Sequence, residues 1–111
     1  MGLVTSGPRH TSSQFLEHHG VAKLFSFTVT GDDVVRGKPD PEPYLIALER
    51  SGVPATAAVA IEDAPKGVAA ARAAGISCVR LGSENSQSSE ASLCINSWNQ
   101  LTPPVVDELF R

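Results

Sequence analysis

The chain has 111 residues, a formal net charge of −3 at pH 7 and an apolar share of 41%, so residues 1–111 are expected to form one small domain. Its nine basic residues are scattered, which argues against nucleic-acid binding, since phosphate backbones are held by clustered Lys and Arg. No apolar run approaches the roughly 20 residues that a membrane span requires, and the first ten residues lack the pattern of a secretory signal.

The two cysteines indicate the compartment. Cys78 and Cys94 lie in apolar, strand-like runs and have no metal-ligand spacing around them. This usage predicts buried free thiols in a reducing, cytoplasmic environment.

Short apolar runs alternate with helical patterns along the chain, which is typical of βαβ units around a parallel sheet. The predicted strands are, in chain order, 2–5, 24–30, 57–61, 77–81 and 93–96. The predicted helices are a segment around Phe15 and Leu16 that Gly20 ends, then 41–50, 65–75 and 103–110. The polar stretch 82–92 is predicted to be a loop. An α/β fold follows from this order.

The helix at 41–50 has clear start signals, because Asp40 is a good N-cap and Pro41 suits the first helical position. Its buried stripe is predicted to comprise Tyr44, Leu45 and Leu48. The strand at 57–61 is apolar throughout, as a central parallel strand buried on both faces should be.

Polar groups follow three of the predicted strands, at the edge where open α/β sheets bind ligands. They are Thr5 and Ser6, Lys38, and the acidic pair Glu62 and Asp63. A hydroxyl, an ammonium and two carboxylates suit a phosphoryl group with Mg²⁺, which prefers oxygen ligands. Taken singly, each group also fits a plain turn, a solvated lysine or a helix cap.

The order and spacing of these groups resemble the haloacid dehalogenase superfamily of aspartate-dependent phosphohydrolases. "LVTSG" looks like the family's second motif, "GKPDPEPYLIAL" like its third, and "AVAIEDAPKGVAAARAAG" like its fourth. The sequences of these motifs are most similar to those of the sugar-phosphatase, glycerol-phosphate phosphatase and phosphomutase branch. The resemblance implies a Rossmann-like, three-layer α/β/α core with a mostly parallel sheet.

The resemblance also implies roles for individual residues. Thr5 and the backbone N–H of Ser6 would bind the transferring phosphoryl group, and Lys38 would be a catalytic residue that stabilises charge on nucleophile and phosphate. Glu62 and Asp63 would bind Mg²⁺.

Arg9, Asp32 and Asp33 lie outside those motifs. Arg9 follows the second motif and is the candidate for a substrate contact. Asp32 and Asp33 match no catalytic position and are expected to be turn and cap residues.

The nucleophile motif of the family, Asp-x-Asp-x-(Thr/Val), does not occur in these 111 residues. In the family sheet order 5-4-1-2-3 the strand that carries it is central, so the strands at 2–5 and 57–61 are each expected to expose an unpaired edge open to self-association. The helical cap that largely sets substrate choice is also missing. Met1 is therefore expected to be an internal methionine of a longer protein or the start of a truncated gene model.

Three hypotheses follow for function. The first is the C-terminal part of a Mg²⁺-dependent phosphatase for a small phosphorylated metabolite, inactive as the isolated chain. The second is a non-catalytic remnant that binds a partner. The third, a response-regulator receiver, is disfavoured because there the acidic pair comes first and the lysine last.

Overall fold

A computed structural model describes residues 1–82 and 90–110 of the chain. Its five strands are β1 (Gly2–Val4), β2 (Phe27–Val29), β3 (Val59–Glu62), β4 (Ser77–Leu81) and β5 (Leu93–Ile95). Its four α-helices are α1 (Arg9–His18), α2 (Glu42–Ser51), α3 (Pro65–Ala73) and α4 (Pro103–Glu108). Short 3₁₀ turns occupy Ala22–Leu24, Gly31–Asp33, Ala55–Ala57 and Trp98–Gln100.

The strands form two parallel sheets. β1 pairs with β2, and β4 lies between β3 and β5. Helices alternate with these strands, so the predicted α/β class with parallel pairing is confirmed. Within the described residues β1 and β3 each have a strand neighbour on one side only, as the sequence predicted for the strands at 2–5 and 57–61.

Helix α2 joins the two sheets, because it packs against β1, β2 and α3. Its first turn is capped by Asp40, whose Oδ1 accepts a 2.9 Å hydrogen bond from the N–H of Glu42, satisfying one of the donors that a helix start leaves open. Tyr44 of α2 lies in the main core with Ala60 and Val68, and Val4 of β1 packs against that core. The core therefore holds both sheets in one unit.

Two predicted strands are shorter or shifted. The prediction at 24–30 is wrong at its start, because Leu24 closes a 3₁₀ turn through its N–H to Val21 O and only Phe27–Val29 pairs. The prediction at 57–61 is displaced by a similar turn at Ala55–Ala57, and the strand extends instead to Glu62. Turn hydrogen bonds between near neighbours compete with sheet pairing, and apolar runs alone do not show them.

Three predictions of burial are wrong. The strand at 57–61 is not buried on both faces, because Ile61 is 39% exposed. Leu45 is 50% exposed, because it lies about 100° around the helix from Tyr44, and Ala47 takes the buried position. Cys78 is buried but Cys94 is exposed, although both are free. The edge strand β5 has one outward face, so its middle residue meets solvent.

The predicted loop at 82–92 lies mostly outside the described residues, which resume at Glu90. Among the described residues, none of the helices combines the length and hydropathy that crossing a membrane would need.

Candidate functional site

The predicted site residues follow β1, β2 and β3 at their carboxyl ends. Thr5 and Ser6 directly follow β1, Glu62 is the last residue of β3, and Asp63 comes next. Lys38 belongs to the segment between β2 and α2. Carboxyl ends of parallel strands share one edge of a sheet, and ligands bind at that edge in open α/β folds.

The turn after β1 is held by hydrogen bonds on both of its sides. The N–H of Thr5 donates to Val29 O at 2.9 Å, which continues the pairing with β2, and the Thr5 hydroxyl accepts from the N–H of Gly7 at 3.2 Å. Since the oxygen of Thr5 acts as the acceptor there, its own proton stays free to donate. Ser6 is exposed at the tip of the turn.

The turn after β2 packs directly against the turn after β1. The N–H of Gly31 donates to Gly7 O at 2.8 Å, and a Cβ at Gly31 would lie 2.6 Å from Ser6 O. Such a distance is too short for any side chain, so the two turns approach this closely only because residue 31 is glycine.

Lys38 links the ends of β1 and β3. Its Nζ donates to Val4 O at 3.2 Å and to Glu62 Oε1 at 2.6 Å, and both side chains are largely buried, at 13% and 8% exposure. An ammonium has three protons to donate, so one remains for a further acceptor. Lys38 therefore connects the two strands that have no pairing with each other.

The hydroxyl of Tyr44 donates to the same oxygen, Glu62 Oε1, and we refer to Lys38, Glu62 and Tyr44 as the Lys38 cluster. Burial, followed by the hydrogen bond to the carboxylate, raises the pKa of Tyr44 far above its usual range, which keeps the hydroxyl protonated. A Cβ at Gly67 in the first turn of α3 would overlap the Glu62 carboxylate. The carboxylate is thus enclosed by Tyr44, Lys38 and the helix backbone.

The two adjacent carboxylates occupy different environments. Glu62 is buried in the Lys38 cluster, with no hydrogen bond from any described residue to its Oε2, whereas Asp63 is exposed. Carboxylate oxygens are the ligands that Mg²⁺ prefers, so the donor chemistry fits. No set of three or more His, Cys, Asp or Glu that could hold a metal ion gathers within the described residues.

Arg9 lies in a second group of charged residues, which we call the Asp33 cluster: Arg9, Thr30, Asp33 and Arg50. Asp33 Oδ1 accepts from Arg9 at 2.6 Å and from Arg50 at 3.2 Å, and Oδ2 accepts from the backbone and hydroxyl of Thr30. Arg50, followed by the backbone N–H of Thr30, holds the pKa of Asp33 well below its usual range. Asp33 is a capping residue, as predicted, and it anchors Arg9.

The segment before Lys38 is shaped by a single carboxylate. Glu42 accepts from the N–H groups of Val35 and Arg36 at 2.9 and 2.8 Å. Two hydrogen bonds to one charged group define this loop more tightly than neutral bonds would, and the loop places Lys38 at the sheet edge.

Sequence patterns missed three parts of the site: the Val4 carbonyl, the Tyr44 hydroxyl and the close approach at Gly67. Tyr44 was predicted as an apolar core residue, although a buried tyrosine hydroxyl usually needs a partner. A glycine in the first turn of a helix, five residues after a buried glutamate, is also a readable sign of close packing. Nothing in the sequence indicates that the Val4 carbonyl accepts a hydrogen bond from Lys38.

This arrangement can be compared with known proteins. A family model for haloacid dehalogenase-like hydrolases matches residues 1–81. The validoxylamine A 7′-phosphate phosphatase of Streptomyces hygroscopicus subsp. limoneus is 47% identical over 81 residues, which cover 73% of this chain and 38% of that protein. A phosphorylated carbohydrates phosphatase of Thermotoga maritima is 43% identical over 76 residues, covering 68% of this chain and 35% of that protein.

Solved structures share the fold. CbbY from Rhodobacter sphaeroides, determined in complex with phosphate, superposes with a TM-score of 0.87 at 26% identity, over 96% of this chain and 50% of that one. This chain therefore spans about half of CbbY and between a third and two fifths of the two phosphatases. The matched region contains every predicted site residue from Thr5 to Asp63. The chain belongs to the haloacid dehalogenase-like hydrolase family.

Proposed function

We propose that the chain forms the C-terminal part of a Mg²⁺-dependent phosphatase that hydrolyses a small phosphorylated metabolite, such as a sugar or polyol phosphate. The observation that carries this proposal is the position of Lys38. Its Nζ contacts Val4 O, one residue before Thr5, and also Glu62, one residue before Asp63. The predicted phosphate-binding turn and the predicted metal-binding carboxylates are thus joined through one cation.

The phosphoryl group would be held by this chain's own donors. Thr5 has a free hydroxyl proton, the exposed turn offers the backbone N–H of Ser6, and Lys38 has one N–H left after its two contacts. Fixed donors directed at charge that develops in the transition state are the main source of catalysis in phosphoryl transfer. The donors therefore suit an anionic transferring group.

Glu62 and Asp63 are the residues that would hold Mg²⁺, since carboxylates are the ligands that this cation prefers. A bound Mg²⁺ would offset negative charge on the phosphoryl oxygens. Glu62 would also keep the Lys38 ammonium in place, because its Oε1 accepts the hydrogen bonds from Lys38 and Tyr44.

The nucleophile would come from outside these 111 residues, on a strand between β1 and β3. Covalent phosphoryl transfer needs such a group, and the sequence has no Asp-x-Asp pair. Within the described residues β1 and β3 have one strand neighbour each, and the relatives are about two to three times as long as the match. An upstream strand would pair with both edges.

The substrate class is proposed from the relatives, whose names specify validoxylamine A 7′-phosphate and phosphorylated carbohydrates. Arg9 remains the candidate for a substrate contact on this side of the site. Its guanidinium binds Asp33 and is 58% exposed, so it would reach a substrate only with a donor that Asp33 does not use. A cytoplasmic location is part of the same proposal.

The test combines mass spectrometry of the native protein with an activity assay. We expect peptides encoded upstream of Met1 that include the Asp-x-Asp motif. The longer form should release phosphate from sugar or polyol phosphates only with Mg²⁺, and Lys38→Met in it should abolish turnover. The 111-residue chain should be inactive with the same substrates. Robust turnover by the 111-residue chain, or a longer form without phosphatase activity, would overturn the proposal.

One observation favours the second candidate, a non-catalytic binding module. Lys38 and Tyr44 both donate to Glu62 Oε1, and such a buried network also suits a purely structural role. Its unpaired edges at β1 and β3 would then bind a partner strand or a second copy. Finding that the native chain begins at Met1 and elutes as a complex would support this candidate.

A further inference from the structure

We propose that Tyr44 is a positioning residue: its hydroxyl fixes the Glu62 carboxylate and, through that carboxylate, the Lys38 ammonium at the sheet edge. The inference concerns the site of the proposed function. Only its consequence for binding a phosphate or a metal cation rests on the proposed function. The contacts of Tyr44 and the measurements of lysine labelling involve no phosphate and no metal cation.

Tyr44 contacts both charged members of the Lys38 cluster. Its hydroxyl donates to Glu62 Oε1, the oxygen that Lys38 Nζ reaches at 2.6 Å, and Lys38 Nζ lies 5.5 Å from the centroid of the Tyr44 ring. A cation within about 6 Å of an aromatic ring is attracted by its electrons. One side chain therefore restrains the carboxylate by a hydrogen bond and the ammonium by its ring.

The surroundings make Tyr44 a rigid support. It is 6% exposed and lies in the main core with Ala60 and Val68, on a helix whose start is capped by Asp40. Packed aromatic rings have few alternative rotamers, so the hydroxyl has a defined position.

The Glu62 carboxylate is confined by α3 as well as by Tyr44. The backbone of α3 at Gly67 lies so close that a Cβ there would overlap the carboxylate. Glu62 Oε1 receives both of the bonds, and Oε2 lies against Gly67. Without the Tyr44 hydroxyl, the carboxylate loses one of its two donors and Lys38 loses a fixed acceptor.

Competitive acylation of lysines measures how tightly Lys38 is held. The chain has three lysines, and Lys23 and Lys66 are exposed, so they serve as internal references in every sample. In the unmodified chain, Lys38 should react at least about tenfold more slowly than the references, since its ammonium is buried and bonded to a carboxylate. Mass spectrometry after brief labelling gives the ratio directly.

Tyr44→Phe keeps the ring and removes only the hydroxyl. We expect it to speed labelling of Lys38 relative to the references by about three- to tenfold, which corresponds to the loss of one typical hydrogen bond. Val68→Ala is the control, because it loosens the same core without touching either charged residue, and it should leave the ratio unchanged. An unchanged ratio in Tyr44→Phe, or an equal rise in Val68→Ala, would contradict a positioning role.

Two further variants test whether Tyr44 affects the labelling of Lys38 through Glu62 or only because the core loosens. Glu62→Gln should speed Lys38 labelling by itself, and the Tyr44→Phe/Glu62→Gln double variant should add little to it, since coupled residues are not additive. Additive effects would show that Tyr44 does not act through Glu62.

Tyr44 is also the only tyrosine, so the absorbance of its ionised form reports its pKa in the otherwise intact chain. Glu62→Gln should lower that pKa, because the carboxylate that disfavours ionisation becomes neutral. An unchanged pKa would overturn the hydrogen bond itself, even if Tyr44→Phe fails to fold. Neither result depends on phosphatase activity, so a failure of the proposed function is seen separately.

Discussion

Two groups of charged residues lie near the carboxyl ends of the strands, and their burial differs. In the Lys38 cluster both charged side chains are nearly excluded from solvent. In the Asp33 cluster the carboxylate is similarly buried, but its two arginines, Arg9 and Arg50, are 58% and 40% exposed. Opposite charges at comparable distances therefore experience different dielectric surroundings.

This difference separates the structural tasks of the two clusters. The Asp33 cluster ties the turn after β1 to the turn after β2, and solvent can replace part of each arginine contact. The Lys38 cluster links β1 to β3, where the described strands share no pairing, and solvent has little access. Removing one partner should therefore be costly in the Lys38 cluster and mild in the Asp33 cluster.

The largest effect is expected from Lys38→Met. It removes the cation that is bonded to the buried Glu62 carboxylate, and breaking a buried pair in this way costs about 3–5 kcal/mol of unfolding free energy. Urea unfolding followed by circular dichroism at pH 7 measures it. The Lys38→Met/Glu62→Gln variant should recover most of the loss, since the side chain at position 62 is then neutral. A loss below about 1 kcal/mol for Lys38→Met would place the pair in the same class as exposed pairs.

Gly67→Ala tests the enclosure of the Lys38 cluster by α3. Alanine favours a helix over glycine by up to about 1 kcal/mol, but the added Cβ would overlap Glu62 and overpacking typically costs about 1–3 kcal/mol. We expect the overlap to dominate and the variant to be less stable in urea. Gly37→Ala is the matched control, because a Cβ there meets open space. Stabilisation by Gly67→Ala would show that the carboxylate moves aside freely.

Asp33→Asn tests the Asp33 cluster through pH. The folded-state pKa of Asp33 is lowered, so its contribution is fully present above the unfolded pKa of about 4 and is lost as the pH falls through the folded value. The urea midpoint of Asp33→Asn should therefore lie below that of the unmodified chain at pH 7. This gap should narrow as the pH drops below about 4.

Asp32→Asn serves as the control for that experiment, because Asp32 is exposed and adjacent in sequence. Its urea midpoint should match that of the unmodified chain at both ends of the pH range. A gap for Asp33→Asn that stays constant with pH would indicate that the carboxylate charge is not what holds the two arginines.

Added salt should change the urea midpoints least, but it should distinguish the two clusters most clearly. At about 1 M NaCl the screening length is about 3 Å, which weakens exposed charge pairs more than buried ones. The midpoint difference between Asp33→Asn and the unmodified chain should shrink in salt, while the difference for Lys38→Met should persist. Equal shrinkage in both, measured by urea unfolding, would remove the distinction between the clusters.

Sequence patterns predicted much of the fold because local chemistry dominates those features. Asp40 and Pro41 marked the start of α2, and alternating apolar runs marked parallel strands. The boundaries at Leu24 and Ala57 were missed because short-range turn bonds prevailed over apolar pattern. Leu45 was misplaced because helical periodicity alone does not choose between neighbouring positions on one stripe.

In the site, too, some features were predicted from the sequence and others depended on the tertiary structure. The sequence by itself determined the family motifs, the residue types and their order, since Thr5, Lys38, Glu62 and Asp63 stand at positions that resemble the motifs of the family. Only the tertiary structure decided that Lys38 joins Val4 to Glu62, that Tyr44 shares the same oxygen, and that Arg9 lies on Asp33. These contacts depend on how two sheets and α2 pack together. Packing is set by the sum of many weak contacts across the core, which no short stretch of sequence contains.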